Sequence, residues 1–379
     1  MKVVHITPTY FDESSVIGGG ERYPTELASR MSRFADTTLV SFSSRRQSYK
    51  DASLKVEVYP VKKFIHGNRV NPLSFRYLLS IVAADVVHVH HIQTLVSDMA
   101  CLAASLGGKR AFVTDYGGGG SLALNRRLPV FQAYDSAIAY SRFGLDFLPA
   151  ELKRKAVLIK GGIDTNRFQP GGPRRRENKV LYVGRILPHK GIDYLIEGFR
   201  MLNRSDYMLR VVGRVYDEGY YRRIKKLAAS LPVDFVHDAD DGRLIDEYRT
   251  ALVTVLPSVY TSYNGNYTPI PELMGFTLLE SQACGTPVIC TGAGAMHEFV
   301  DDGRTGCVVE QNSGSAIAAA LNHFINLSPS EYSEYRDRCR AWAMPFGWTS
   351  IVREHLRIYG DAGRLNGAGG GHSDQCAYL

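Results

Sequence analysis

Cysteine is scarce in this chain of 379 residues, and its spacing excludes two classes of protein. None of the cysteines forms a C-x-x-C pair, and their neighbours are mostly apolar. A disulfide framework or a zinc ribbon would need paired or regularly spaced cysteines. We therefore expect buried free thiols at all six positions: Cys101, Cys284, Cys290, Cys307, Cys339 and Cys376.

Long apolar runs are also missing, since no stretch approaches the roughly 20 residues needed to cross a bilayer. The first ten residues, MKVVHITPTY, are typical of a strand and do not show the basic, apolar and cleavage regions of a signal peptide. We expect a cytoplasmic protein.

Basic residues are concentrated in the first half. Residues 1–170 hold 22 Lys and Arg against 14 Asp and Glu, whereas the whole chain carries +7. Such an excess can attract anionic lipid at the inner face of a membrane, nucleic acid or a charged acceptor, and solvated basic loops are an equally good interpretation. No basic helix with interleaved aromatics, zinc spacing or RNP-like strand is present, which excludes the usual nucleic-acid modules. The clusters are Arg45-Arg46, Lys62-Lys63, Arg126-Arg127 and Lys153-Arg154-Lys155.

Strand-like and helix-like segments alternate along both halves, which predicts an α/β fold with parallel sheets. The length favours two domains of similar size. Periodicity stops over 169–177, QPGGPRRRE, where we place the linker. The predicted division is an N-terminal domain over 1–170, a C-terminal domain over 171–345, a final helix over 346–366 that crosses back to the first domain, and a flexible tail over 367–379.

Strands are predicted in the first half at Val3–Thr7, Thr38–Phe42, Val86–Val89, Ala111–Thr114, Ser136–Tyr140 and Ala156–Ile159. In the second half they are predicted at Val180–Val183, Met208–Val212, Val233–His237, Val253–Pro257, Val288–Cys290 and Gly306–Val309. Two doubly wound sheets in tandem, facing each other across a cleft, bind ligands at the carboxyl ends of their strands.

Two glutamates bracket the most informative stretch, PELMGFTLLESQACGT. Glu272 precedes a predicted helix start, and Glu280 lies within its first turns. A helix N-terminus attracts a diphosphate, and carboxylates accept hydrogen bonds from ribose and sugar hydroxyls. Two surface glutamates on a capped helix are the alternative. The segment from Val183 to Gly191, VGRILPHKG, directly follows a predicted strand and favours the phosphate-binding interpretation.

Together these segments resemble the retaining family 4 glycosyltransferases of GT-B fold, over nearly the whole chain. The motifs that carry the resemblance are Gly18-Gly19-Gly20-Glu21-Arg22, Asp85 to His90, Gly162-Ile163-Asp164 with Phe168, Gly184-Arg185, Lys190-Gly191, Glu272 to Glu280, Ala283 to Val288, and Glu298 to Gly306.

The resemblance implies that Arg185 and Lys190 contact the donor diphosphate and neutralise the charge that develops on the leaving group. It implies no metal, and no D-x-D pair lies clearly at a strand end. Glu272 would lie near the donor sugar and Glu280 would bind the ribose hydroxyls. The remaining donor-binding positions that it implies are Gly18, Gly19, Gly20, Gly184, Gly275, Phe276, Thr277, Leu278 and, near the nucleobase, His237, for which an ordinary strand-end histidine is an equal alternative.

One position departs from the family pattern. Many relatives carry a histidine near the reacting sugar after an N-domain strand, whereas here Ala111–Thr114 is followed by Asp115, Tyr116 and Gly117. Tyr116 takes the place of that histidine and would stay uncharged near neutrality. Asp115 is either the polar contact to the sugar or a turn residue.

Three histidines, His88, His90 and His91, suggest a zinc site, but only His88 and His90 share one face of a strand. We expect buried and cleft-lining histidines and no metal.

The predicted function is a metal-independent retaining glycosyltransferase that needs no cofactor. It would move a hexose from a nucleoside diphosphate sugar, UDP-sugar first and GDP-sugar second, to a hydroxyl of a small molecule, a glycan or a lipid-linked acceptor. The alternatives are an epimerase or phosphorylase of the same fold, or a non-catalytic module that binds membrane or polyanion.

Overall fold

The computed structural model describes residues 1–10, 19–68, 71–116, 124, 127–171 and 177–365. Its strands are β1 Lys2–Tyr10, β2 Asp36–Ser43, β3 Gln47–Asp51, β4 Leu54–Pro60, β5 Val86–His90, β6 Arg110–Thr114, β7 Ser136–Ala139, β8 Ala156–Leu158, β9 Lys179–Val183, β10 Met208–Val212, β11 Val233–Val236, β12 Val253–Leu256, β13 Val288–Thr291 and β14 Gly306–Val309. Its α-helices are α1 Gly19–Met31, α2 Leu95–Leu106, α3 Arg142–Asp146, α4 Ala150–Lys153, α5 Ile192–Leu202, α6 Glu218–Ala228, α7 Asp241–Thr250, α8 Phe276–Ala283, α9 Gly314–Asn326, α10 Pro329–Ala343 and α11 Trp348–Leu365.

The chain forms two compact units. The first comprises Met1–Ala139, Leu148–Ile159 and residues 349–365, and the second comprises Tyr140–Phe147 and Lys160–Trp348. The last helix, α11, therefore belongs almost wholly to the first unit, although it follows the second in sequence.

The first unit contains a sheet in the order β3-β4-β2-β1-β5-β6-β7-β8. All neighbouring strands run parallel except β3 and β4, which form an antiparallel pair at one edge. Its central strands are buried on both faces, as the valine-rich β5 shows, and helices on the faces of a parallel sheet require this. The strand order reverses direction between β1 and β5.

The second unit contains an all-parallel sheet in the order β11-β10-β9-β12-β13-β14. Helix α5 buries one apolar face that includes Leu195, Ile196 and Phe199, and it packs against α9. The chain order runs outward from β9 through β10 to β11, and then resumes on the other side of β9 at β12. Loops that follow β9 and β12 consequently diverge around a crevice at the carboxyl edge of the sheet.

The predicted class, two doubly wound α/β domains, is confirmed, and each predicted strand is present, with its ends at most three residues from the predicted ones. The sequence pattern did not predict the hairpin β3–β4 or the helices α2, α3, α4, α9 and α10. Within the predicted linker, Gln169 and Glu177 are held by hydrogen bonds to α7, and the positions between 172 and 176 lie outside the described residues. The predicted tail over 367–379 also lies outside them.

The expectation of buried thiols is confirmed for the described cysteines, except that Cys307 is only half-buried. Burial raises the pKa of Cys101 and of Cys284 to about 12. Cys376 lies outside the described residues. In the part of the chain that the structure describes, no helix has the length and apolar character of a membrane span.

Gly191 joins the loop after β9 to α5 and allows a close backbone approach. Its φ is +64°, and a Cβ added there would lie 2.1 Å from the carbonyl oxygen of Pro257, which follows β12. Gly191→Ala should therefore lower the free energy of unfolding by at least about 2 kcal/mol, because strain at positive φ adds to a backbone clash. Thermal or urea unfolding measures this effect. Gly292→Ala is the control, since its added Cβ meets nothing within 4 Å, and equal stabilities of the two variants would contradict the prediction.

Candidate functional site

The candidate site of the second unit lies at the carboxyl ends of β9 and β12, where the strand order reverses. The loop after β9 carries Gly184, Arg185 and, in a short 3-10 helix, Lys190. The loop after β12 carries Ser258 and leads to Glu272 and α8. Because β9 and β12 are neighbours in the sheet, these two loops begin side by side, although more than 60 residues separate them along the chain.

Lys190 and Glu272 form the central contact of the site. The Lys190 ammonium lies 2.5 Å from Glu272 Oε1, and the Ser258 hydroxyl donates a 2.7 Å hydrogen bond to the same oxygen. Both charged side chains are largely buried, at 7% and 13% exposed. Buried charges of this kind need a partner, so the pair holds the two loops in one arrangement.

Arg185 is exposed, and its guanidinium carbon lies 5.7 Å from the centre of the Tyr216 ring. Its backbone is fixed because the buried Tyr182 hydroxyl donates a 2.9 Å hydrogen bond to the Arg185 carbonyl. The site therefore offers one cation to solvent and keeps another, Lys190, inside an ion pair.

Helix α8 begins at Phe276, and its N-cap residue, Gly275, has no side chain that could cap the first turn. Amide groups at the N-terminus of a helix favour an anion. The Thr277 hydroxyl lies 3.4 Å from the Val183 carbonyl oxygen at the end of β9, and Leu278 is buried in the core. Glu272 precedes this helix, as the sequence predicts, and Glu280 lies within it.

Glu280 accepts a 3.0 Å hydrogen bond from the hydroxyl of Tyr248, a fully buried residue of α7. Burial, with the nearby Glu280 carboxylate, raises the pKa of Tyr248 well above its usual value. Tyr248 thus remains a donor near neutrality and orients one carboxylate oxygen of Glu280.

His237 lies at the edge of a cavity of about 190 Å³ formed by the carboxyl ends of β9, β10 and β11. Its Nδ1–H donates to the Gly213 carbonyl, and its Nε2 accepts from the Tyr221 hydroxyl, each over 2.9 Å. Both ring nitrogens are therefore used within the protein, which agrees with the strand-end interpretation of His237. Gly213 permits the narrow cavity floor, because a Cβ there would lie 1.8 Å from the Gly184 carbonyl oxygen.

A second polar cluster lies in the first unit and contains His5, His88 and His90, all fully buried. One ring nitrogen of each lies within 4.8 Å of the others, a spacing that could hold a metal ion. His5 Nδ1 and His90 Nε2 are joined over 3.0 Å, and His88 is bonded to Thr114 and Tyr359. All six ring nitrogens have partners, so the hydrogen bonds by themselves account for the burial, and the expected absence of a metal stays a prediction.

The sequence analysis missed His5 and His355 because they are distant in sequence from His88. The β1–β5 register places His5 directly opposite His88, and α11 brings His355 to within 5.8 Å of the His88 ring. His91, which sequence periodicity places on the other face, has a φ of +78° and is also buried.

Tyr116 follows β6 and forms a 2.7 Å hydrogen bond through its hydroxyl to His90 Nδ1. Asp115 accepts a hydrogen bond from the Ile92 amide over 3.3 Å, which joins the segments after β5 and β6, and its contact to a sugar stays a prediction. Gly117 and Gly18 lie outside the described residues, and Gly19 and Gly20 form the first turn of α1. Ser258, Tyr182 and Tyr248 were also missed, although the position of Ser258 just after a predicted strand was a usable signal.

The buried histidines predict acid sensitivity. Burial lowers the pKa of His355 to about 4 and that of His5 to about 3, whereas the unfolded chain binds these protons near pH 6.5. The free energy of unfolding is therefore highest above about pH 6.5, where these histidines are neutral in both states. It decreases as the pH falls toward 4, and the decrease at pH 5 is about 2 kcal/mol per histidine. His355→Leu, which also removes a buried Nε2 without a partner, should show a smaller loss of melting temperature between pH 7 and pH 5. The exposed His297→Leu is the control and should keep the slope of the wild-type protein.

The Lys190–Glu272 pair predicts strong coupling in a double-mutant cycle. Lys190→Met should destabilise the chain by about 3 kcal/mol, because among the described residues it leaves a largely buried carboxylate with Ser258 as its one hydrogen-bond partner. Adding Glu272→Gln should restore most of that loss. Denaturant unfolding of the two single variants and the double variant measures the coupling, and purely additive effects would refute it.

Two family models match consecutive parts of the chain. The model described as Glycosyltransferase Family 4 matches residues 17–167, and the model described as Glycosyl transferases group 1 matches residues 164–343. Among curated proteins, the chain is similar to D-inositol 3-phosphate glycosyltransferases. The enzyme from Acidothermus cellulolyticus is 31% identical over a region that covers 58% of this chain and 50% of the relative. The enzyme from Geodermatophilus obscurus is 34% identical over a region that covers 44% of this chain and 40% of the relative. The chain thus spans about half the length of the curated relatives that it matches.

Solved structures agree in fold. A glycosyltransferase from Rickettsia africae matches with a TM-score of 0.72 at 18% identity, over 95% of this chain and 98% of that one. The Anabaena protein HepE in complex with UDP matches with a TM-score of 0.71 at 16% identity, over 95% and 100%. The two family models, which together span both α/β units, and these shared folds lead to one conclusion: the chain belongs to family 4 of the glycosyltransferases and has the GT-B fold.

Proposed function

We propose that this protein transfers a hexose from a nucleoside diphosphate sugar to an acceptor hydroxyl, with retention of the anomeric configuration and without a metal ion. The observation that carries the proposal is the meeting, at one strand-order reversal, of a helix N-terminus with Arg185, Lys190, Glu272 and Glu280.

The diphosphate is assigned to the first turn of α8 and to Arg185. The N-cap residue of α8, Gly275, supplies no side-chain cap to the helix, and Arg185 is exposed. Binding of an anion would be stabilised by the helix dipole and by a guanidinium that can donate two parallel hydrogen bonds. Negative charge that develops on the departing nucleoside diphosphate would be stabilised by groups already in position.

Lys190 and Glu272 act together in this proposal. The contact to Glu272 uses one of the three N–H donors of the ammonium, and the other two can face a phosphate oxygen. Glu272, held by Lys190 and Ser258, then accepts hydrogen bonds from the transferred sugar. Glu280, oriented by Tyr248, binds the ribose hydroxyls.

No side chain of this site is assigned as the base. Burial raises the pKa of Tyr182 and of Tyr248 well above the usual value, and burial lowers the pKa of His189 to about 4. The tyrosines stay protonated near pH 7 and cannot take the acceptor proton, and an imidazole with a pKa of about 4 is too weak a base to be assigned that role. We assign that proton to an oxygen of the donor diphosphate, so that rate acceleration comes from positioning and electrostatics.

A UDP-sugar is the first donor to test and a GDP-sugar the second. HepE was solved in complex with UDP. Because it is only 16% identical to this chain, the similarity supports a shared fold, and we use it only to choose which donor to test first. An inositol phosphate, the acceptor in the names of the curated relatives, belongs in the acceptor panel beside glycans. We also propose a cytoplasmic location with contact to an anionic membrane. The excess of basic residues in the first half of the sequence is the observation that supports this part of the proposal.

The function is tested by thermal-shift screening of UDP-, GDP- and ADP-sugars with and without EDTA, followed by mass spectrometry of the hydrolysed or transferred sugar. We expect one nucleotide class to raise the melting temperature and to be turned over equally in EDTA. If every donor leaves both the melting temperature and the mass spectrum unchanged, the proposal is refuted. A rate that EDTA abolishes refutes metal independence.

Arg185→Ala should lower turnover by at least about 100-fold, since it removes a charge contact to the leaving group, with little change in melting temperature. Arg204→Ala is a matched control, because Arg204 is also exposed beside a tyrosine ring but lies outside the site. Equal turnover in the two variants would remove Arg185 from the mechanism.

A further inference from the structure

Four aromatic rings form a continuous row on the second unit. Phe147 lies 4.8 Å from Phe143, Phe143 lies 6.4 Å from Tyr260, and Tyr260 stacks at 6.0 Å on Tyr267 with an angle of 18° between the rings. We call these four residues the aromatic row.

The outer rings of the aromatic row are open to solvent. Tyr267 is 65% exposed and Phe147 is 45% exposed. Burial of such rings in a core would stabilise the fold, so their exposure to solvent leaves the protein without that stabilisation. Contiguous exposed aromatic surface with a polar rim is typical of a binding site.

The hairpin that carries two of these rings is rigidly built. Antiparallel bonds join Thr261 to Tyr267, and the turn is closed by the Ser262 amide on the Asn266 carbonyl over 3.0 Å. Tyr263 anchors the hairpin, because its ring stacks on the buried Tyr220 with the Arg223 guanidinium 4.2 Å from its centre. Tyr267 is thus presented in a fixed position, so little conformational entropy would be lost when a ligand binds it.

The aromatic row reaches the candidate site. The Tyr260 hydroxyl accepts a 3.1 Å hydrogen bond from the Gly294 amide. The next residue, Ala295, donates its amide to the Glu272 carbonyl over 2.9 Å. Tyr260, an inner ring of the row, is therefore connected through Gly294 and Ala295 to the main chain of Glu272, the residue that we assign to the transferred sugar.

The hairpin from Tyr260 to Thr268, YTSYNGNYT, contains no charged residue. Its exposed polar groups are hydroxyls and amides, which donate and accept hydrogen bonds to neutral hydroxyl groups. A pyranose ring has an apolar face of C–H groups, which suits the negative face of an aromatic ring, and a rim of hydroxyls. An anionic lipid surface would instead be matched by basic residues, and this hairpin has none.

We propose that the aromatic row is a subsite for consecutive sugar rings of an oligosaccharide acceptor, whose terminal hydroxyl it directs toward Glu272. This proposal rests on the proposed function, because it names the acceptor of that reaction as a glycan. Rings further along the acceptor would stack on Tyr267, and the hydroxyls of the hairpin would bind the rim.

The test uses the full chain, saturated with UDP, and two neutral probes, maltoheptaose and cellohexaose, with binding measured by isothermal titration calorimetry and saturation-transfer NMR. We expect at least one probe to bind, with resonance saturation strongest on pyranose C–H protons. Tyr267→Ala and Phe147→Ala should each weaken binding at least tenfold. Tyr267→Phe, which keeps the ring, should stay within about threefold of wild type.

Tyr49→Ala is the matched control, since Tyr49 is 51% exposed in the first unit and is not part of the row. It should leave probe binding unchanged, and all variants should keep the UDP affinity and melting temperature of the wild type. Failure of both probes to bind at millimolar concentration overturns the proposal. So does equal binding by wild type and Tyr267→Ala.

Two further outcomes identify another occupant and also overturn it. In the first, neither saccharide binds, and the wild type sediments with phosphatidylglycerol vesicles whereas Tyr267→Ala does not. In the second, the wild type forms a dimer and Tyr267→Ala does not. The two proposals fail separately. Saccharide binding without turnover of any nucleotide sugar would refute the function and keep the subsite, whereas turnover without saccharide binding would refute only the subsite.

Discussion

The contact between Lys190 and Glu272 is the constraint on which the candidate site depends. It is a 2.5 Å ion pair with little solvent access, shared with the Ser258 hydroxyl. Because neither charge can be left alone at that depth, the loop after β9, the loop after β12 and the segment before α8 must adopt one mutual arrangement. The N-terminus of α8 follows directly on this segment and Tyr248 orients Glu280, so the geometry that we propose for binding an anion and a sugar depends largely on this buried interaction.

Around this pair the second unit separates two kinds of chemistry. Cationic and amide donors lie at the start of α8 and on Arg185, whereas neutral hydroxyls, amides and aromatic faces lie on the hairpin that begins at Tyr260. The first set suits a phosphate and the second suits the rings of a saccharide. Glu272 stands between them, since its side chain pairs with Lys190 and its carbonyl accepts from the Ala295 amide next to the row. A donor and an acceptor sugar would meet at this residue.

Much of the fold was predictable because the strands of a parallel sheet are buried on both faces. Their sequences are therefore short runs rich in valine and isoleucine, as at β9 and β13. The hairpin β3–β4 was missed because QSYKD is fully exposed in the edge strand and has no apolar alternation. Local motifs also located Arg185, Lys190, Glu272 and Glu280. The histidine cluster was predicted only in part, since His5 and His88 meet through strand register and His355 reaches them through the last helix.

By itself the sequence determined the α/β class, the two units, the resemblance to family 4 and the positions of the charged residues near strand ends, because each of these depends on local periodicity or on short motifs. The tertiary structure alone decided which groups share a site. Strand order brings Lys190 to Glu272, the buried Tyr248 orients Glu280, and Phe143 packs against Tyr260 to complete the aromatic row. These are contacts between segments distant along the chain, and their energies come from burial and pairing that no local pattern encodes.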